Sequence, residues 1–70
     1  MEERELERAI GTFVAGLPKA EKQVFVLRYW YLYSGAEIAQ KTGIRESTVR
    51  SMLFRLRRQL KSHLEKEEVL

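Results

Sequence analysis

Six basic side chains, Arg45, Arg50, Arg55, Arg57, Arg58 and Lys61, fall between residues 45 and 61, where the only acid is Glu46. The rest of the 70-residue chain carries 7 basic and 9 acidic residues, so the formal net charge of +3 conceals a basic field confined to one segment. Guanidinium and ammonium groups gathered in this way suit a phosphate backbone, whose counterions they displace. Ser47, Thr48, Ser51 and Phe54 are interleaved with them, adding hydroxyl donors and one large apolar ring. Other chemistry is poorly supplied. There is no cysteine and His63 is the only histidine, so neither a thiolate site nor a common zinc site can be assembled. Glu37 could act as an acid, but no nucleophile or second carboxylate accompanies it in a recognisable pattern. Neither an enzyme nor a cofactor is expected, because acid–base and nucleophilic catalysis each need a set of groups in mutual reach.

A ring among arginines is either misplaced core or contact surface, and helical geometry distinguishes the two. At 100° per residue from Val49, the side chains of Met52, Leu53, Leu56, Leu60, His63 and Leu64 fall within about 60° and form one apolar stripe. Ser47, Arg50, Ser51, Phe54, Arg55, Arg58 and Lys61 fall on the other side. Phe54 therefore faces away from the core. Such a face fits the major groove, where arginines meet guanine edges and phosphates and an apolar ring meets thymine methyls. The competing explanations for Phe54 are contact with a partner protein and a chance surface position. His63, at the end of the apolar stripe, is expected to be partly buried or stabilised by the helix dipole.

The elements that must hold this helix are legible upstream. "AEIAQKT", followed by "GI" and a helix from about Glu46, is two helices joined by a tight glycine turn, the helix-turn-helix pattern, with a plain helical hairpin as its alternative. Ala39 is small enough for two steeply crossing helices to approach. Gly43 supplies a left-handed turn, and Ile38, Ile44 and Val49 are expected to fill the shared core. Ser34 is a candidate N-cap, and Gly35 is expected to permit an unusual backbone angle.

Leu6, Ile10, Phe13, Val14 and Leu17 recur at helical spacing and predict a first helix ending near Gly16. Pro18 suits the first turn of a second helix, and Glu21 suits the positive end of its dipole. That helix should run to about Leu32. It is apolar nearly all round, which predicts either a central helix sandwiched between neighbours or a sticky exposed surface. The terminal "EKEEVL" is acidic and is expected to fray.

Size and composition bound the rest. Residues 1–70 make one small all-α domain of four helices, too small for a deep closed cleft. No run approaches the roughly 18 apolar residues of a membrane span, and the first ten residues are too charged for a signal peptide. A soluble, cytoplasmic protein with no membrane partner is expected.

"LPKAEKQVFVLRYWYLYSGAEIAQKTGIRESTVRSMLFRLRRQL", residues 17–61, resembles region 4 of bacterial sigma factors, especially the extracytoplasmic-function type. The resemblance rests on Leu17-Pro18, Val24-Phe25, Leu27-Arg28-Tyr29, Glu37-Ile38-Ala39, Gly43-Ile44, Thr48-Val49-Arg50-Ser51 and Phe54-Arg55 taken together. It implies a domain whose last helix reads the minus-35 promoter element and which docks on the beta-subunit flap of RNA polymerase, with an anti-sigma factor as a further partner. By position, Arg50, Ser51, Phe54 and Arg55 would lie near bases. Ser34, Gly35, Arg45, Ser47, Thr48, Arg58 and Lys61 would lie near the DNA backbone. Arg45 stands where a serine N-cap is common in that family, and Leu56, where alanine is usual, is expected to widen the packing of the last helix. The sigma region that melts the minus-10 element is not in this sequence, so the chain is expected to be a fragment of a longer factor or a stand-alone region-4 protein. A LuxR-type response-regulator domain shares the Glu-Ile-Ala and Thr-Val spacing. A protein-interaction module without DNA affinity would suit the aromatic residues 29–33.

Overall fold

The computed structural model describes residues 3–68. Four helices follow one another: α1 (Glu3–Ala15), α2 (Lys19–Tyr29), α3 (Gly35–Thr42) and α4 (Glu46–Lys66). The domain has the expected all-α architecture with the helix-turn-helix at α3 and α4. The 21-residue α4 is long enough to pack against all three other helices. The placement of Met1, Glu2, Val69 and Leu70, and with it the last part of the expected fraying, lies outside the described residues.

One face of each helix supplies the core. Val24, Phe25, Ile38, Val49, Met52 and Leu56 are buried together, and Phe13, Val14, Leu27, Ala39, Ile44 and Leu53 pack against them half-buried. The Phe13 ring meets Phe25 edge-on at 5.8 Å between centroids, a favoured arrangement of ring quadrupoles. Ala9 and Leu64 make a smaller cluster joining α1 to the far end of α4. His63 closes the same junction: its Nε2 lies 2.9 Å from the Ala9 carbonyl oxygen, and because a carbonyl only accepts, Nε2 carries the proton there. Leu56 is almost wholly buried, so the larger side chain is absorbed into the core. Among the described residues no polar or charged side chain is buried.

The α3–α4 turn forms as its residues require. Gly43 has φ of 78°, a conformation in which a Cβ meets the following carbonyl, and its N–H donates to the Ala39 carbonyl at 2.9 Å. Thr42 stiffens the turn, its hydroxyl donating to the Ile38 carbonyl and accepting from the Ile44 N–H. At the other end of α3, Ser34 and Glu37 form a reciprocal capping box: Ser34 N–H donates to Glu37 Oε1 at 2.9 Å, and Glu37 N–H donates to Ser34 Oγ at 3.1 Å. The Ser34 backbone amide, and then its hydroxyl, hold the Glu37 carboxyl below the ordinary carboxylate value. A depressed folded value makes the cap's contribution complete above the ordinary carboxylate range and lost as pH falls through the depressed one.

Two expectations fail here, for a common reason. The second helix ends at Tyr29 rather than near Leu32; within it Val24 and Phe25 are buried against the other three helices, while Tyr29, Trp30, Tyr31 and Leu32, at and beyond its end, are exposed. Gly35 is an ordinary first residue of α3; the positive φ, 60°, belongs to Leu32. The chain leaves α2 through a turn in which the Tyr33 N–H donates to the Leu27 carbonyl and the Arg28 guanidinium donates to the Tyr33 carbonyl. These bonds satisfy groups that a longer helix would have paired, and they hold Leu32 in a conformation costing a residue with a Cβ about 1–2 kcal/mol.

The contrast between the left-handed Gly43 and the helical Gly35 is testable. Nothing lies within 4 Å of a Cβ built on Gly43, so Gly43→Ala meets only backbone strain. It is expected to lower stability by about 1–2 kcal/mol, read as an earlier thermal melt, while Gly35→Ala, at a helical position with equally open space, leaves the melt unchanged or raises it.

Candidate nucleic-acid interface

Burial of Val49, Met52, Leu56 and Leu64 fixes the rotation of α4 and turns its opposite face to solvent. Phe54 is 61% exposed on that face. Its ring, with Ser47, Arg50, Ser51 and Arg55, lines one shallow hollow. Four residues expected near bases and one expected near the backbone are therefore brought together. The Arg58 guanidinium lies 5.8 Å from the centroid of the Phe54 ring, within the reach of a cation–π attraction, so ring and charge are presented as a unit. The Ser51 hydroxyl donates to the Ser47 carbonyl at 3.1 Å, which leaves its lone pairs facing outward.

A second hollow adjoins the first and joins the helix-turn-helix elements. Arg28, Ser34, Gly35 and Ala36 from the α2–α3 corner line one wall; Glu46, Arg50, Leu53, Phe54 and Arg57 from α4 line the other. Ser34 and Gly35 thus share a concavity with Arg50 and Phe54. The Ser34 hydroxyl is occupied by the cap, accepting from the Glu37 N–H and hydrogen-bonding the Glu37 carboxyl. Arg45, Thr48 and Lys61 are exposed but line neither hollow. Arg45 occupies the N-cap of α4 without a side-chain hydrogen bond, since a guanidinium has no acceptor to offer the helix N–H groups.

Two arginines outside the expected site are part of the surface. Arg57, about 80° from Val49, sits just outside the edge of the apolar stripe, and hydrogen bonding with the Tyr29 hydroxyl raises its guanidinium above the ordinary value. Arg28 lines the second hollow while one of its N–H groups latches the α2–α3 turn. The i,i+4 spacing of Glu46 and Arg50 also signals a contact in the sequence: Arg50 Nη2 and Glu46 Oε2 are 2.9 Å apart.

A separate apolar groove lies between α1 and α2. Ile10, Gly11, Val14, Phe25, Val26 and Trp30 line a space of about 360 Å³, with Glu7 and Lys22 at its rim. Trp30 is 75% exposed and Leu32 79%, so this part of the surface is apolar without being core. Tyr33 is half-buried, stacked near Tyr31 and lying beneath the Lys41 ammonium.

A short helix, a glycine turn and a longer helix with an exposed basic and aromatic face define a DNA-binding domain of the helix-turn-helix class. Residues 7–60 match the family model described as sigma-70, region 4, and the chain belongs to that family, the promoter-DNA-binding and RNA-polymerase-associated domain of sigma factors. No curated protein and no solved structure shows a significant match. Among the described residues, no helix is long and apolar enough to cross a membrane.

Neighbouring side chains on opposite faces of α4 give opposite expectations. Leu56→Ala, in the core, is expected to cost about 2–5 kcal/mol of stability. Leu53 is half-buried and lies at the low end of that range or below it. Phe54→Ala is expected to leave stability within roughly 1 kcal/mol of the parent chain, because it removes a solvent-facing ring. Thermal melts of the three variants check the assignment: a Phe54→Ala domain melting as early as Leu56→Ala would return the ring to the core.

Proposed function

We propose that this domain reads the minus-35 element of promoters as region 4 of a sigma factor of the extracytoplasmic-function type, acting in the cytoplasm by positioning RNA polymerase rather than by chemistry. In this reading α4 enters the major groove. Arg50, Ser51, Phe54 and Arg55 meet base edges; Ser34, Gly35, Arg45, Ser47, Thr48, Arg58 and Lys61 meet the phosphates on either side. The observation that carries it is the exposure of Phe54 in one hollow with Arg50, Ser51 and Arg55, on the face of α4 opposite the buried stripe. An exposed ring is unfavourable in water and favourable against a thymine methyl, and adjacent arginines can form bidentate contacts with guanine. Arg28 and Arg57 extend the basic surface along the second hollow.

The polymerase flap, or an anti-sigma factor in its place, would use the apolar groove between α1 and α2 with Trp30 at its mouth. Its lining and the exposed residues 29–32 favour this, since an apolar patch rimmed by charge is the usual form of a protein contact. One small domain offers few contacts to DNA, so tethering to polymerase would supply effective concentration that the isolated chain lacks.

Binding of the chain to duplex DNA at several salt concentrations tests the division of contacts. Arg58→Ala and Lys61→Ala are expected to weaken binding about equally for all sequences and to lower the salt slope by about one unit each, with base preference retained. Phe54→Ala and Arg55→Ala are expected to relax preference at particular base pairs, by about 1–3 kcal/mol per base pair affected. A hexamer preference that changes with Arg58 or Lys61, or that survives removal of both the Phe54 and Arg55 side chains, would overturn this reading. Trp30→Ala is expected to weaken capture by polymerase core enzyme while leaving DNA affinity unchanged, measured as separate titrations.

A further inference from the structure

Glu46 is the only acid between residues 45 and 61, and it lies within the concave surface that carries the arginines. A carboxylate there repels every phosphate that approaches, whatever the sequence. Its value to the helix is small, since it and Arg50 form an exposed i,i+4 pair with side chains 51% and 77% accessible. The geometry indicates a different use. Glu46 Oε2 accepts from Arg50 Nη2 at 2.9 Å, and Arg50 is common to both hollows. A guanidinium has five N–H donors in a rigid plane, so one taken by the carboxylate narrows the orientations of the plane and leaves the others free for a second partner.

We propose that Glu46 is a specificity-determining positioning residue: its carboxylate holds the Arg50 guanidinium in one orientation for bidentate contact with a guanine and opposes its diversion to a phosphate. The inference rests on the reading in which α4 enters the major groove and Arg50 approaches base edges. An unrestrained arginine has many rotamers and can satisfy itself on any phosphate oxygen, which adds affinity for all sequences and discrimination for none. A restrained one loses less freedom on binding and meets the O6 and N7 of guanine in the correct plane. Glu46 thus lowers affinity for arbitrary DNA and raises the ratio between preferred and disfavoured sites.

The test uses this chain with Glu46→Gln, Glu46→Asp, Arg50→Ala and the Glu46→Gln/Arg50→Ala pair. The probes are a duplex selected from a randomised library at low salt, each of its single-base-pair variants, and a random-sequence duplex. Arg50→Ala is expected to flatten preference at one base pair. Glu46→Gln is expected to tighten binding to the random-sequence duplex about two- to fivefold, because a repelling charge is gone. It is also expected to lower discrimination at the Arg50 base pair by about three- to tenfold and leave other positions unchanged, because the amide oxygen still accepts from Arg50 but, uncharged, holds it less firmly. Glu46→Asp keeps the charge but draws the carboxylate one methylene nearer the helix and so displaces the guanidinium paired with it; it should lose discrimination with no gain in non-specific affinity. The double variant should discriminate no worse than Arg50→Ala alone. If Glu46→Gln tightens binding to all sequences equally with discrimination intact, or if Glu46→Asp discriminates like the parent chain, Glu46 is only a repelling charge and the inference is overturned while the groove reading stands. If no duplex is preferred, or Arg50→Ala changes no base preference, the groove reading fails and the inference with it.

Discussion

The structure depends on the burial of a single stripe of α4. Val49, Met52 and Leu56 are withdrawn from water in the core shared with the other three helices and Leu64 against α1, and a helix is stiff enough that fixing one stripe fixes the direction of every other side chain on it. Each such apolar side chain contributes about 1.5–3 kcal/mol by leaving water, a large share of the net stability open to a domain of this size. The arginines contribute almost nothing to that balance. Their orientation is instead a by-product of where Val49 and Leu56 must go. α1, α2 and α3 serve as the socket, and the turn at Gly43 sets the angle at which α3 meets the helix it supports.

That arrangement explains which features could be read from the sequence. The stripe on α4, the turn at Gly43, the cap at Ser34 and the outward direction of Phe54 all follow from periodicity or from local backbone chemistry, and the sequence carries both directly. The end of α2 does not. Residues 29–32 are as apolar as a buried helix, and what stops them is an Arg28 side chain reaching the Tyr33 carbonyl together with a left-handed Leu32. Neither has a local signature: leucine gives no warning of a positive φ, and Gly35, which does permit one, has no need of it. Ala9 is illegible for another reason, since alanine is too small to mark a stripe, and its burial depends on Leu64 arriving from the far end of the chain. Arg57 escapes a sequence reading because it lies between the two faces, where an angular rule has least to say.

Of the candidate site, Ser47, Arg50, Ser51, Phe54 and Arg55 form one surface, and Ser34 and Gly35 join it through the second hollow. Arg45, Thr48, Arg58 and Lys61 are exposed and line neither hollow. Phe25 lines the apolar groove, and its ring lies 4.8 Å from that of Tyr29.

The separation of α4 into an inner and an outer half has a consequence for how such a domain can diverge. Side chains on the outer half are exposed and carry little of the folding free energy, so exchanging them alters stability by only about 0.5 kcal/mol in most cases. The inner half tolerates no such freedom, because every methylene there is counted in the packing. A lineage can therefore drift through many surface chemistries on the outer half without passing through an unfolded intermediate. New recognition preferences become accessible by single substitutions, and descendants of one ancestral domain can come to ignore one another's sites while remaining the same fold.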